Sequence, residues 1–460
     1  MGLAGGIHGP KAALREGFPG AWAGAESLEN INALTYSSPR ETLAVVDGNV
    51  CAMAVPSSIS TLRDMVDFLT HQISKHFSSA SNVVVVLDNP ATLTRAKRAE
   101  QMRRDASRKR PVPTSADLAP SVVDDDFLVS SLSSEEDVRV LICNRKARMR
   151  ILDAIFLAVF NTIERKLLGR LHGAPAASFS ICGCDFRGGN RPIGAVRRHD
   201  VLSSDDFFGE ALEAVKAGEG DLQLTEVTEI AMKNRRGVLA DFKTVVLHTI
   251  DTDSILIELA AEARRIEEGI LVNTFVALKE RAPKRDAENQ SKPRYTLIDV
   301  TTLLEHLCAD LFGMKYESIA PSLVRPAVVL FLIAQAAQKC DFVEIKGLRT
   351  RELTDAVRVI CSEEVHYLCT IPSVYKGREE DVLLAEPTLR RVLGLCGSTV
   401  ENLSRRRVHA SSLKSPTKAD ILKALWAGRY WTGSEILDVD AWGFGHEAES
   451  TARASSPASV

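Results

Sequence analysis

Three apolar runs along the chain each end in an acid. LAVVD closes at Asp47, NVVVVLD at Asp88, and TVVLHTIDTD at Asp251 and Asp253. A further run, SFSICGCD from Ser178 to Asp185, has the same character. Short valine-rich runs without polar alternation predict strands buried on both faces, as in a parallel sheet. Between them, STLRDMVDFLTHQISKHF, VRVLICNRKARMRILDAIFLAVFNTIERKLL and LQLTEVTEIAMKNRR carry the helical period. Strands alternating with helices predict an α/β fold with a doubly wound, mainly parallel sheet.

The same pattern divides the chain. Residues 1–110 read as the first part of the α/β domain. Residues 111–177 read as a Pro-, Ser- and Asp-rich loop, including Asp124-Asp125-Asp126, followed by a helical insertion. The second part of the domain spans 178–350, where ILVNTFVALKERA and PRYTLIDV predict a β-hairpin around a polar loop from Pro283 to Lys292. Residues 351–445 read as mainly helical, and 446–460 as a disordered tail. Trp426 and Tyr430, one helical turn apart, predict a helix packed on the core.

Composition narrows the class without fixing the chemistry. Apolar residues make up 45% and charged residues 25%, which is enough apolar material for a sizeable core. The formal charge of -3 gives no bulk basicity, so any nucleic-acid site has to arise from local clustering. The nine cysteines are scattered and show no zinc spacing beyond one C-x-C at Cys182 and Cys184, so they read as reduced thiols. The N-terminus has no apolar signal core, and the longest apolar stretch, around Ala327 to Ala337, is too short for a bilayer span. A soluble intracellular protein is expected, with nuclear, viral and cytoplasmic settings left open.

In an open parallel sheet, ligands bind beyond the carboxyl ends of the strands. Asp47, Asp88, Asp251 and Asp253 would all stand at that edge. Acids gathered in one crevice repel each other unless cations are present, and hard divalent ions with oxygen ligands, Mg²⁺ or Mn²⁺, meet that need. Two such ions can activate water and stabilise the departing oxygen in phosphodiester hydrolysis. Singly, each acid has an ordinary alternative as a helix cap or turn former. IDTDS also resembles the phosphatase D-x-D-x-T pattern, but Ile255 stands where the threonine is needed. His248, on the same run, reads as a satisfied core histidine.

After Asp88 comes Lys97-Arg98-Ala99-Glu100-Gln101-Met102-Arg103-Arg104, and later Lys339-Cys340-Asp341-Phe342-Val343-Glu344-Ile345-Lys346-Gly347-Leu348. The first is similar to the K-x-x-E-x-x-[KR]-R helix of flap endonucleases and their XPG relatives. The second resembles that family's G-C-D-Y segment and I-x-G-I-G turn, with Arg349 at the place of the second turn glycine. Met1-Gly2-Leu3-Ala4-Gly5-Gly6 is similar to the family's N-terminus. These patches cover about a third of the chain, in the family's order.

The resemblance implies a PIN-like domain, a helical arch between its halves, and a two-metal 5′-nuclease. By it, Asp47, Asp88 and Glu226 would hold one Mg²⁺ or Mn²⁺ ion. Asp251, Asp253 and Asp341, assisted by Glu229, would hold the other. Lys97 and Arg104 would be catalytic and grip the scissile phosphate. Arg95, Arg103, Gly347 and Arg349 would bind nucleic acid, with flapped or branched DNA as partner and RNA as the alternative. No membrane partner is expected. For the acidic pair, Gly218-Glu219-Gly220-Asp221 competes with Glu226 and Glu229, being closer to the G-E-G-E of 5′→3′ exoribonucleases. Two other functions stay open: a catalytically silent PIN-like binding module, and a D-x-D phosphatase.

Overall fold

The computed structural model describes residues 10–53, 55, 59, 61–88, 145–168, 177–183, 201–215, 218–235, 239, 242–280, 294–338, 340, 343, 345, 347–371, 379–403 and 416–431. Its strands are β1 (Trp22–Ala25), β2 (Thr42–Asp47), β3 (Asn82–Val86), β4 (Ser178–Cys182), β5 (Val201–Ser203), β6 (Thr244–Thr249), β7 (Asn273–Lys279) and β8 (Tyr295–Asp299). They form one eight-stranded sheet in the order β1-β8-β7-β6-β2-β3-β4-β5. The helices are α1 (Pro10–Gly17), α2 (Leu28–Thr35), α3 (Gly48–Met53), α4 (Leu62–Ser74), α5 (Arg145–Leu168), α6 (Asp206–Leu212) and α7 (Gly220–Lys233). After these come α8 (Asp253–Glu267), α9 (Val300–Phe312), α10 (Pro321–Gln338), α11 (Thr350–Glu363), α12 (Glu379–Leu403) and α13 (Lys418–Trp431).

The valine-rich runs occupy the sheet centre, where β2, β3, β4 and β6 are buried at every position. β2 pairs in parallel with β3 on one side and β6 on the other, setting Val45 opposite both Val84 and Leu247. Alternate side chains enter different cores. Leu43 and Val45 pack with α7, α8 and α10, while Ala44 and Val46 pack with α4 and α5. Helices therefore cover both faces, the arrangement that lets a strand be apolar throughout.

The five central strands β4, β3, β2, β6 and β7 pair in parallel, as expected, while at the edges β5 runs antiparallel to β4, and β7, β8 and β1 form two antiparallel pairings. The sheet is mixed. The expected hairpin is real, but β7 also pairs in parallel with β6, so it extends the main sheet instead of projecting from it. Within the expected insertion, α5 is a core helix. Its Leu152, Ile155, Phe156, Val159, Phe160 and Ile163 are buried against α4 and β4, and Phe160 stacks on Phe179 at 5.6 Å. The Pro111 to Glu136 loop, the tail at 446–460 and the Gly-rich N-terminal residues lie outside the described residues.

α10 is longer than its apolar stretch suggested. Its 18 residues match a bilayer span in length and composition, yet Pro326 to Ala337 are all buried among α8, α11 and α13. It packs as a core helix. The α13 contact is close because Gly428 lies against Ile333, where an added Cβ would stand 2.4 Å from Cγ1 and 2.9 Å from Cα. Trp426 is buried in that contact, as its spacing predicted.

His248 on β6 is buried, and its ring meets His76 edge-on with centroids 4.4 Å apart. Contrary to the satisfied-histidine reading, neither His248 nitrogen has a hydrogen-bond partner among the described residues, nor does Nδ1 of His76. Burial, with nearby Lys279 adding to it, pushes His76 down to about 3. Burial and the neighbouring His76 push His248 well below its ordinary value. Both rings are therefore neutral when folded and bind protons only on unfolding. Their contribution to stability is fully present above about pH 6.5 and is lost as pH falls toward the folded values. Between pH 6 and pH 5, urea unfolding should lose about 1.4 kcal/mol per pH unit for each ring. A His76→Phe variant should show about half of that excess slope; an unchanged slope would remove the pair as its source.

Candidate metal centre

The central strands deliver three acids to one edge. Asp47 ends β2, Asp88 follows β3 by two residues, and Asp251 follows β6 by two. β2 lies between β3 and β6, so this edge is where the chain's direction of strand addition reverses, the usual crevice of an open α/β sheet.

A fourth acid arrives on the N-terminus of α7. The Gly220 N–H donates to Asp88 Oδ1 at 2.8 Å. The approach is close: a Cβ at Gly220 would make a tight contact of 3.3 Å with that oxygen and ordinary contacts of 3.7 Å with Asn49 Nδ2 and Asp47 Oδ1. Gln223, fully buried one turn on, donates from Nε2 to the Leu87 carbonyl at 2.8 Å. Gly183, at φ +86°, leaves space for it: a Cβ there would fall 2.0 Å from the Leu87 oxygen and 2.2 Å from Gln223 Oε1. The ends of β3 and β4 and the start of α7 are thereby knitted together. Asp221, the next residue of α7, accepts from Ser254 Oγ of α8 at 3.2 Å.

Electrostatics identifies the group. Burial pushes the Asp47 carboxyl well above the usual carboxylate range, and the charges of Asp221, Asp88 and, more weakly, Asp251 push it further. The Val50 N–H, donating to Asp47 Oδ1 at 3.1 Å, opposes this only in part. Four aspartates thus share one field. Hard carboxylate oxygen donors suit Mg²⁺ or Mn²⁺ in chemistry. Among the described residues, no three His, Cys, Asp or Glu side chains are already gathered at ion-holding distance. The donor set fits a divalent cation in kind only.

The other expected site residues distribute as follows. Asp253 is buried at the first position of α8, and its N–H donates to Asp251 Oδ1 at 3.3 Å. Of the two acidic pairs, the structure brings Asp221 to the cluster and leaves Glu229 away from it. Glu229 is ion-paired with Arg264 on α8, two helical turns beyond Asp221. Glu226 is half-buried one turn farther along α7 than the Asp221 that faces Ser254. The reason is orientation: α7 points its N-terminus at the sheet edge, so only its first residues reach there.

Gly347 lies in the turn between α10 and α11 at φ +94°, a conformation that favours glycine. Arg349 is exposed at the N-cap of α11, 4.0 Å from Glu352. Arg95, Lys97, Arg103, Arg104 and Asp341 lie outside the described residues. Sequence reasoning missed Asn49 and Ser254; only the adjacency of each to a strand-end acid marks them.

Comparison with models of known protein families finds no match, and a search of curated proteins finds no similar sequence.

Proposed function

We propose that the chain is a Mg²⁺- or Mn²⁺-dependent phosphodiester hydrolase, a PIN-like 5′-nuclease acting on flapped or branched DNA. One observation carries the reading: Asp47, Asp88, Asp221 and Asp251 meet at the carboxyl edge of the central strands, where burial first, and then the charges of Asp221, Asp88 and Asp251, raise the Asp47 carboxyl. Carboxylates drawn together around a buried Asp47 are costly for stability alone, and such groups are commonplace where a cation completes the site. The motif from Lys97 to Arg104, and the one around Asp341, add the phosphate-gripping and nucleic-acid side of the proposal through their resemblance to the flap-endonuclease family.

The residues divide the work. Asp47, Asp88, Asp221 and Asp251 would hold the divalent ions, with Asp253 supporting Asp251 through its backbone. When bound, the ions supply an activated water and neutralise charge on the departing oxygen. The Gly220 N–H holds Asp88 in its orientation. Asn49 Nδ2, buried beside Asp47 with no partner among the described residues, is placed to donate to a phosphate oxygen. Lys97 and Arg104 would hold the scissile phosphate.

The test is cleavage of a labelled 5′-flap duplex in Mg²⁺, comparing the natural chain with Asp47→Asn and the Asp251→Ala/Asp253→Ala pair. Metal-dependent cutting that both variants lose supports the nuclease. If the natural chain cuts no flapped, nicked or single-stranded substrate, the silent binding module replaces it. Turnover of a generic phosphomonoester in its place would point to the phosphatase.

A further inference from the structure

α7 and α8 are joined by polar contacts at regular intervals, an unusual seam between two core helices. Ser254 Oγ donates to Asp221 Oδ1 at 3.2 Å, and one turn on Thr225 Oγ1 donates to Glu258 Oε2 at 2.7 Å. A further turn on, Arg264 pairs with Glu229. On α7 the participants, Asp221, Thr225 and Glu229, are each four residues apart and so share one face.

The middle contact is the deeply buried one. Glu258 is 0% exposed and Thr225 6%. Glu258 is held from its other side by Arg265, itself 1% exposed, which also donates to Glu262 Oε2 through Nη2 at 2.7 Å. Thr301 of α9 donates to Glu262 Oε1 at 2.8 Å. Apolar side chains of similar volume would stabilise this position at least as well, so an ion network here is poorly explained by stability. What it supplies is directionality. Apolar contacts tolerate sliding of one helix along another, whereas a buried hydroxyl-to-carboxylate bond fixes the register.

That register matters at one end of the seam. Asp221 begins α7, and Asp251, Asp253 and Ser254 stand at the start of α8. We infer that Thr225 and Glu258 are positioning residues: their bond sets the axial register of α7 against α8 and so the separation of Asp221 from Asp251. The inference rests on the metal reading proposed above only for its functional consequence. Glu229, which the acidic-pair pattern suggested as a metal ligand, is on this view part of the same register device.

The test uses the full chain with three variants. Thr225→Val removes the donor at constant shape, Thr225→Ser keeps it, and Thr228→Val is the control. Thr228 is equally buried on α7, but its hydroxyl bonds to Leu224 of its own helix. With Mn²⁺ alone as probe, followed by the electron-paramagnetic signal of the free ion, Thr225→Val should weaken binding about tenfold. Thr225→Ser and Thr228→Val should both bind as the natural chain does.

In metal-free buffer, exchange of the Gly220 amide should accelerate about tenfold in Thr225→Val and stay unchanged in Thr228→Val. Mn²⁺ affinity and amide exchange unaltered in Thr225→Val, or altered equally in Thr228→Val, would overturn the inference. A natural chain that binds no Mn²⁺ would remove the metal reading alone, and the exchange comparison would still decide the register.

Discussion

Asp221→Ala should lower metal-dependent cleavage about a thousandfold, while Glu226→Ala should leave it within a few-fold of the natural chain. A thousandfold corresponds to about 4 kcal/mol of barrier, the scale expected when a ligand to a catalytic ion is removed. The contrast follows from where α7 aims its first turn. Asp221 is the strongest neighbouring charge on Asp47, ahead of Asp88, whereas Glu226 stands one turn farther along α7. Steady-state rates on the flap substrate, measured across a Mg²⁺ titration, separate the two. A ligand loss should depress the rate even at saturating metal. If Glu226→Ala were the crippled protein and Asp221→Ala the active one, the placement of α7 over the site would be wrong.

Arg265→Ala should destabilise the chain by about 3–5 kcal/mol, the cost of leaving a buried charge without its partner. Two carboxylates, Glu258 and Glu262, share this guanidinium, and all three groups are almost fully buried. Removing it strands two carboxylates in the interior without their cation, and urea unfolding at pH 7 reads the deficit. A surface pair gives the comparison: Arg390→Ala breaks an ion pair with Glu386 at an exposed guanidinium and should cost under about 1 kcal/mol. Equal losses for both arginines would mean that the interior network is solvated after all.

Strand ends were the most legible part of the chain. The acids closing LAVVD, NVVVVLD and TVVLHTIDTD do reach one edge, because each run forms a strand covered on both faces and the acids stand at or just past its carboxyl end. Which acid of the helix joined them was not legible. TEVTE carries two glutamates at helical spacing, and nothing local distinguishes a metal-facing pair from one facing Arg264, a residue 35 positions away. The G-E-G-D alternative held the better clue in its glycine. A Cβ at Gly220 would sit tightly against the Asp88 oxygen that its N–H meets, so glycine eases this approach.

The antiparallel edges escaped for a different reason. β7 reads much like the parallel strands, and only its partners across the sheet give the direction of β8 and β1. The histidine pair escaped too. A lone histidine on an apolar strand carries no sign that a second, from the 3-10 turn Lys75–Ser78, will meet it.

The close fit of Gly428 on Ile333 also has a meaning in time. During synthesis α10 leaves the ribosome well before α13 exists, so this long apolar helix waits for the glycine-bearing surface that will cover it. Until then it offers the cell a segment indistinguishable, by length and hydropathy, from one bound for a bilayer. The nascent chain is therefore most exposed to mistargeting and to chaperone capture in that interval, and release from both depends on its last helix arriving.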